Sequence, residues 1–282
     1  VAPKTAASTT EPSALVANSS VLLPNGSNGV TGVQIGHSRL ELPGAFIGQT
    51  VAADWYFPTQ ADGTVDAQGV IWLQHGFGAT NTFYSALAQN LAKQTNSIVV
   101  APTLSSIPIT FSGGCLTCEL TQEDAAALLG PNRATLLASA TAAGFSGTAL
   151  PEKFVLTRHS AGGGFATAVA DDYLEGNDAQ YDPNDLIGVI MFDGVSNGSL
   201  DGSFANQVAA LAAANKPVYQ IAAPAQSWNL FGATTNVLAA TVTDQFIGVV
   251  LQGGSHVDSM LGVNPLFDFV LQLVTKAVPA GN

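Results

Sequence analysis

The strongest constraint on this chain is a repeated pairing of a short apolar run with a helical segment. VIWLQ (70–74), SIVVAP (97–102), KFVLT (153–157), LIGVIMF (186–192), PVYQIAA (217–223) and FIGVVLQ (246–252) are rich in β-branched and aromatic residues. Helical stretches follow them at 80–93, 121–129 and 131–143, 161–173, 203–214, 234–243 and 265–278; in the first, Phe83, Leu87 and Leu91 recur at helical spacing. Apolar strands alternating with helices form a parallel sheet covered on both faces, because each crossover helix must pack back on the sheet. Upstream, SRLELP (38–43) and TVAADWYFP (50–58) alternate in polarity between turn-forming residues, which reads as an antiparallel pair. The expectation is an α/β fold with one mostly parallel eight-stranded sheet. It would occupy a single domain over 30–282, behind a flexible or loosely packed segment at 1–29.

Of the 282 residues 47% are hydrophobic and 10% charged, enough for a large core. Lys plus Arg number 8 against 20 Asp plus Glu, a net charge of −12 that repels phosphate backbones and anionic lipid, so nucleic acid is not an expected partner. No apolar run reaches the roughly 20 residues of a membrane-spanning helix. The opening VAPKTAASTTEPSALVANSS lacks methionine and is rich in Ala, Ser and Thr, like the start of a processed, exported protein, and a secreted location is expected. Cys115 and Cys118, in CLTC, are the only 2 cysteines. Without further zinc ligands or a thiol-oxidoreductase context, they read as a short local disulfide, which suits an oxidising compartment.

In sheets of this kind, chemistry collects beyond the carboxyl ends of the strands. There the fifth strand runs into RHSAGGG (158–164). A serine on a sharp strand-to-helix turn, followed by small residues, has a strained backbone and an exposed hydroxyl, with helix N–H groups aimed at whatever binds it. Ser160 is therefore a candidate nucleophile, the alternative being a serine that caps a helix. The third strand ends in HGFG (75–78), a glycine turn expected beside the serine strand. It can aim the Phe77 N–H at a developing oxyanion, with the Ala161 N–H as second donor. On the plainer reading HGFG only ends a strand, and His75 is a buried structural histidine, the role favoured for it here.

A serine nucleophile needs a base, and the base an orienting acid. Of 4 histidines, His37 precedes the first strand, His75 is in the turn, and His159 adjoins the serine with its side chain expected to point away. His256, in GGSHVDS, follows the last strand, where a base placed after the nucleophile belongs; otherwise it is a surface-loop histidine. Between the two, Asp171, Asp172 and Glu175 are on or past the helix behind the serine, and Asp178, Asp182 and Asp185 lie at the opposite edge of the sheet. Asp201 and Asp244 flank helices. Asp193, in IMFDGV, directly follows a wholly apolar strand, where a carboxylate is costly without a partner such as an imidazole. The next strand ends in AAPAQ, without an acid. Ser160, Asp193 and His256 are the catalytic candidates, and their chemistry calls for no metal or other cofactor.

HGFG, RHSAGG, MFDG and GGSH, in this order at these strand ends, resemble the α/β-hydrolase fold over about residues 38–278. The acid after the sixth strand and the HGxG turn resemble the platelet-activating-factor acetylhydrolases and chlorophyllases. Chain size and serine elbow are similar to those of cutinase-like polyester hydrolases and actinobacterial secreted lipases. The resemblance implies a serine esterase or lipase acting through an acyl-enzyme on an acyl-lipid, polyester or small ester, and it does not choose among these; a monomer is expected. Many relatives insert a helical lid after the sixth strand. Here only GVSNGSLDGS separates Asp193 from the next helix, so no large lid domain and an open site are expected. The loop at 103–120, stiffened by a Cys115–Cys118 bridge, would form one wall. Phe77, Ile107, Ile109, Phe111 and Trp228 would line an apolar groove there or, as an equal alternative, belong to the core.

One residue departs from the pattern. Two places before the serine, where relatives have glycine or another small residue, this chain has Arg158. An unpaired cation buried there costs on the order of several kcal/mol. The expected arrangement is an active Ser160 with Arg158 directed outward. The alternatives are an impaired enzyme and a non-catalytic α/β-hydrolase-fold protein that binds a partner or lipid.

Overall fold

The apolar runs form strands and the helical stretches form helices in a computed structural model, in which residues 26–44, 49–107, 114–160, 164–196, 201–262 and 268 are described. In chain order the elements are β1 (Gly32–Glu41), β2 (Thr50–Thr59), β3 (Gly69–Gln74), α1 (Ser85–Thr95), β4 (Ser97–Pro102), α2 (Glu119–Leu129) and α3 (Arg133–Ala142). They continue with β5 (Phe154–His159), α4 (Phe165–Glu175), β6 (Leu186–Phe192), α5 (Ser203–Ala213), β7 (Val218–Ala222), α6 (Ala233–Thr241) and β8 (Gly248–Val250). The sheet has 8 strands in the order β1-β2-β4-β3-β5-β6-β7-β8. β2 is antiparallel to both β1 and β4, and every other pair is parallel. The helix expected at 265–278 lies outside the described residues.

Alternation along each strand divides the core between the two faces. Trp55 and Phe57 of β2, Trp72 of β3, Ile98 and Val100 of β4, Phe154 and Leu156 of β5 and Met191 of β6 share one cluster, with Leu128, Leu136, Phe165 and Phe204 from α2, α3, α4 and α5. Ile71, Leu73 and Val99 face the other side, against Ala88 and Ala92 of α1 and Val257 and Met260 beyond β8. At Gly36 the backbone of β1 lies directly on the Ala143 carbonyl, so α3 can pack on the sheet edge only if residue 36 lacks a Cβ.

Several boundaries differ from the sequence-based reading, each for a local reason. β1 begins at Gly32 rather than at residue 38, because its early residues lie on an edge strand and are largely exposed, leaving only Val33 and Ile35 as an apolar signal. Its extent is set by pairing with β2, from Gly32↔Thr59 to Glu41↔Thr50. The helix expected from residue 80 opens as a 3-10 turn over Asn81–Tyr84 before α1 begins. β5 runs through His159, so Arg158 belongs to the strand itself. β8 spans only Gly248–Val250.

Candidate active site

Ser160 follows β5 with φ 55°, in the left-handed region that a non-glycine residue seldom occupies. The end of β6 holds it there: the Ser160 N–H donates to the Phe192 carbonyl at 3.3 Å, and its own carbonyl accepts the Val195 N–H at 3.0 Å. Its Oγ is left partly exposed, 2.6 Å from His256 Nε2. His256 Nδ1 is in turn 2.6 Å from Asp193 Oδ2. The three residues proposed from the sequence thus form one hydrogen-bonded chain, drawn from the ends of β5 and β6 and the loop after β8.

Asp193 is 4% exposed and also has a positive φ, 43°. Its second oxygen, Oδ1, accepts the Ala223 N–H at 2.9 Å and Asn229 Nδ2 at 3.1 Å, so both carboxylate oxygens have donors, which offsets their desolvation. Asn229 comes from a 3-10 segment, Ser227–Gly232, beyond β7. In the sequence this loop offers Trp228 but no acid, and a neutral donor such as Asn229 has no signature there. The loop carrying His256 is fastened by the Asp258 carboxylate, which accepts the Ser255 N–H at 2.8 Å and Ser255 Oγ–H at 2.7 Å.

The HGFG turn lies against Ser160 because β3 pairs directly with β5. A Cβ on Gly76 would come 2.8 Å from Ser160 Cβ, so only glycine permits this approach. His75 has the structural role expected of it. The Leu104 N–H donates to His75 Nε2 at 3.0 Å, which leaves the proton on Nδ1, and Nδ1–H donates to the Gly76 carbonyl at 2.7 Å. Burial holds this imidazole below its usual pKa. The Gly76 N–H donates to Tyr84 Oη at 3.0 Å and the Gly78 N–H to Ser106 Oγ at 2.8 Å. The N–H between them, that of Phe77, has no partner among the described residues. Ala161, the other expected donor, lies outside the described residues.

His159 turns away from Ser160, as expected, and makes two buried hydrogen bonds: one to Tyr84 Oη at 2.7 Å and one to the His256 carbonyl at 2.5 Å. Burial, reinforced by the neighbouring His256, pushes its pKa well below the usual histidine value. His37 is remote, paired with Asp54 across the β1–β2 ladder at 2.6 Å.

Arg158 does not escape to solvent. It is 0% exposed, and the outward arrangement expected from the sequence is incorrect. The reason is register: β5 continues past Arg158, which aligns with Gln74 of β3 and Met191 of β6, and its side chain enters the face covered by α4. Its Nη2 donates to the His159 and Ser160 carbonyls, whereas Nε and Nη1 have no hydrogen-bond partner among the described residues. Burial lowers this guanidinium to about 9, against a smaller opposing effect of Tyr84.

Three of the apolar side chains named from the sequence are exposed. Phe77 is 66% exposed, Ile107 54% and Trp228 44%, so these three belong to the surface rather than to the core. The Trp228 ring lies 6.5 Å from that of His256 at an interplanar angle of 18°. Cys115 and Cys118 are disulfide-bonded just before α2. Ile109 and Phe111 lie outside the described residues. No helix among the described residues is long and apolar enough to cross a membrane, and no cluster of metal-ligating side chains occurs among them.

In sequence the chain matches no protein family and no curated protein. In structure it is similar to a thermostable esterase from Pseudomonas putida, with a TM-score of 0.55 at 14% identity over 87% of this chain and 82% of that one. It is similar also to an S-formylglutathione hydrolase from Agrobacterium tumefaciens, with a TM-score of 0.56 at 13% identity over 88% of this chain and 96% of that one. The chain has the α/β-hydrolase fold. Neither neighbour is named as an acetylhydrolase, chlorophyllase or cutinase, so the matches assign the α/β-hydrolase fold without selecting the branch that the sequence resembles.

Proposed function

We propose that the protein hydrolyses carboxylic esters through an acyl-enzyme on Ser160. The observation that carries this reading is the chain of two 2.6 Å hydrogen bonds from Ser160 Oγ through His256 to Asp193, built on a nucleophile with a left-handed backbone. Ser160 Oγ attacks the ester carbonyl as its proton passes to His256 Nε2, and Asp193 holds the resulting imidazolium through Nδ1–H. The N–H groups of Phe77 and Ala161 stabilise the oxyanion. His256 then gives its proton to the departing alkoxide, and water, deprotonated by the same imidazole, releases the carboxylic acid and restores Ser160. The esterase names of the structural neighbours support this reaction class. The buried Arg158 leaves the triad assembled, which favours an active enzyme over a non-catalytic binding protein.

The substrate is an ester with an apolar acyl or alkyl part, laid on the exposed surface formed by Phe77, Ile107 and Trp228. The disulfide supports an exported setting. A panel of p-nitrophenyl esters from acetate to long acyl chains, with a polyester film, tests the reading. Turnover is expected throughout the soluble panel and should fall by about 10⁴-fold or more in Ser160→Ala and His256→Ala. Activity retained in Ser160→Ala would overturn it.

A further inference from the structure

Tyr84 and His159 lie outside the catalytic chain, yet they join two of its parts. The connection runs from the Gly76 N–H to Tyr84 Oη at 3.0 Å, from Tyr84 Oη to His159 Nδ1 at 2.7 Å, and from His159 Nε2 to the His256 carbonyl at 2.5 Å. Its polarity is fixed by its ends. A peptide N–H can only donate and a peptide carbonyl can only accept, so His159 must carry its proton on Nε2. A neutral imidazole then offers Nδ1 as an acceptor, the Tyr84 hydroxyl donates to it, and the Tyr84 oxygen accepts from Gly76. Every proton has one place, and no group along the path lacks a partner. The other arrangement would protonate both His159 nitrogens, placing a cation in a buried site 4.8 Å, ring to ring, from His256 and near Arg158. Burial disfavours that state.

We propose that Tyr84 and His159 are positioning residues that hold the oxyanion turn and the base loop in register on either side of Ser160. The proposal rests on the esterase reading. One end of the bridge is the residue before Phe77, whose N–H is the proposed oxyanion donor. The other is the backbone of the base itself. The bridge also joins four separate elements, the turn after β3, the 3-10 turn before α1, the end of β5 and the loop after β8, which no continuous strand or helix connects. A neutral, single-tautomer imidazole beside His256 adds no charge to oppose the imidazolium formed in the transition state.

Steady-state kinetics on p-nitrophenyl esters with Tyr84→Phe, His159→Leu, His159→Gln and the double variant Tyr84→Phe/His159→Leu test this. Misplacement of reacting groups by a fraction of an ångström acts on kcat, so His159→Leu is expected to lower kcat by about 10- to 100-fold with KM within about twofold. His159→Gln keeps a donor for the His256 carbonyl and should recover most of that loss. The double variant should be no slower than His159→Leu, because both substitutions break one path. Equal kcat in Tyr84→Phe and the parent, additive losses, or a His159→Gln as slow as His159→Leu would overturn the bridge. If His159→Leu does not fold, Tyr84→Phe carries the test through the downfield His256 Nδ1–H proton resonance, which should shift. That resonance does not depend on turnover, so it separates failure of the bridge from failure of the esterase reading, which would show as a parent enzyme without ester turnover.

Discussion

Replacing Arg158 by methionine should make the protein more stable. The guanidinium is wholly buried, two of its three nitrogens lack partners, and no carboxylate forms a salt bridge with it among the described residues. A buried ion without a counter-ion costs on the order of several kcal/mol, and exchange for an apolar side chain of similar length removes that cost while filling the same space beside Met191. Against this stands the loss of the Nη2 bonds, about 1–2 kcal/mol, softened because the Ser160 carbonyl keeps the Val195 N–H. The net expectation is a gain of about 2 kcal/mol for Arg158→Met at pH 7, read as a higher urea midpoint at unchanged m-value. The folded-state pKa of Arg158, about 9, is below the ordinary arginine value that the unfolded chain retains. The unfolded chain therefore holds the extra proton between these values, and the native penalty is complete below pH 9 and relieved as pH rises through it. The advantage of Arg158→Met should accordingly shrink between pH 7 and 10. A variant less stable than its parent at pH 7, or a difference independent of pH, would refute the reasoning.

Three further outcomes follow from the same geometry. Gly76→Ala places a methyl 2.8 Å from Ser160 Cβ and 3.1 Å from His159 Nδ1, and should lower both kcat and stability, the latter by about 1–3 kcal/mol in urea titration. Asn229→Ala leaves Asp193 Oδ1 with only the Ala223 N–H and should cost about 2 kcal/mol of stability together with a fall in kcat. His75 and His159 are held below their usual pKa by burial, so the unfolded chain takes up their protons first on acidification. Their contribution to stability should be level above about pH 6.5 and decline below it, and His159→Gln should reduce the slope measured by urea titration across that range relative to the parent.

The central strands were legible because both of their faces are buried, and continuous apolar sequence is then unavoidable. β1 was legible only where it carries SRLE, since an edge strand facing solvent needs no apolar residues. The hydrogen-bonded set Ser160, His256 and Asp193 was readable for a different reason: sheet geometry brings side chains together at strand ends, and a serine turn, an acid after an apolar strand and a late histidine each occupied one. Arg158 was misplaced by treating it as a turn residue. One more strand pairing, Arg158↔Met191, reverses its direction from solvent to core. Tyr84 and Asn229 carried no signal at all. Both come from 3-10 turns whose place beside the site depends on how the loops fold over the sheet, and local sequence does not encode that approach.

The account turns on Ser160 as a covalent nucleophile. Incubation of the folded protein with a fluorophosphonate, followed by intact-mass and peptide mass spectrometry, tests this directly. One adduct per chain is expected, located on the peptide containing Ser160, lost in Ser160→Ala and accompanied by loss of ester turnover. Full esterase activity in a protein that forms no adduct, or an adduct on a residue other than Ser160, would contradict it.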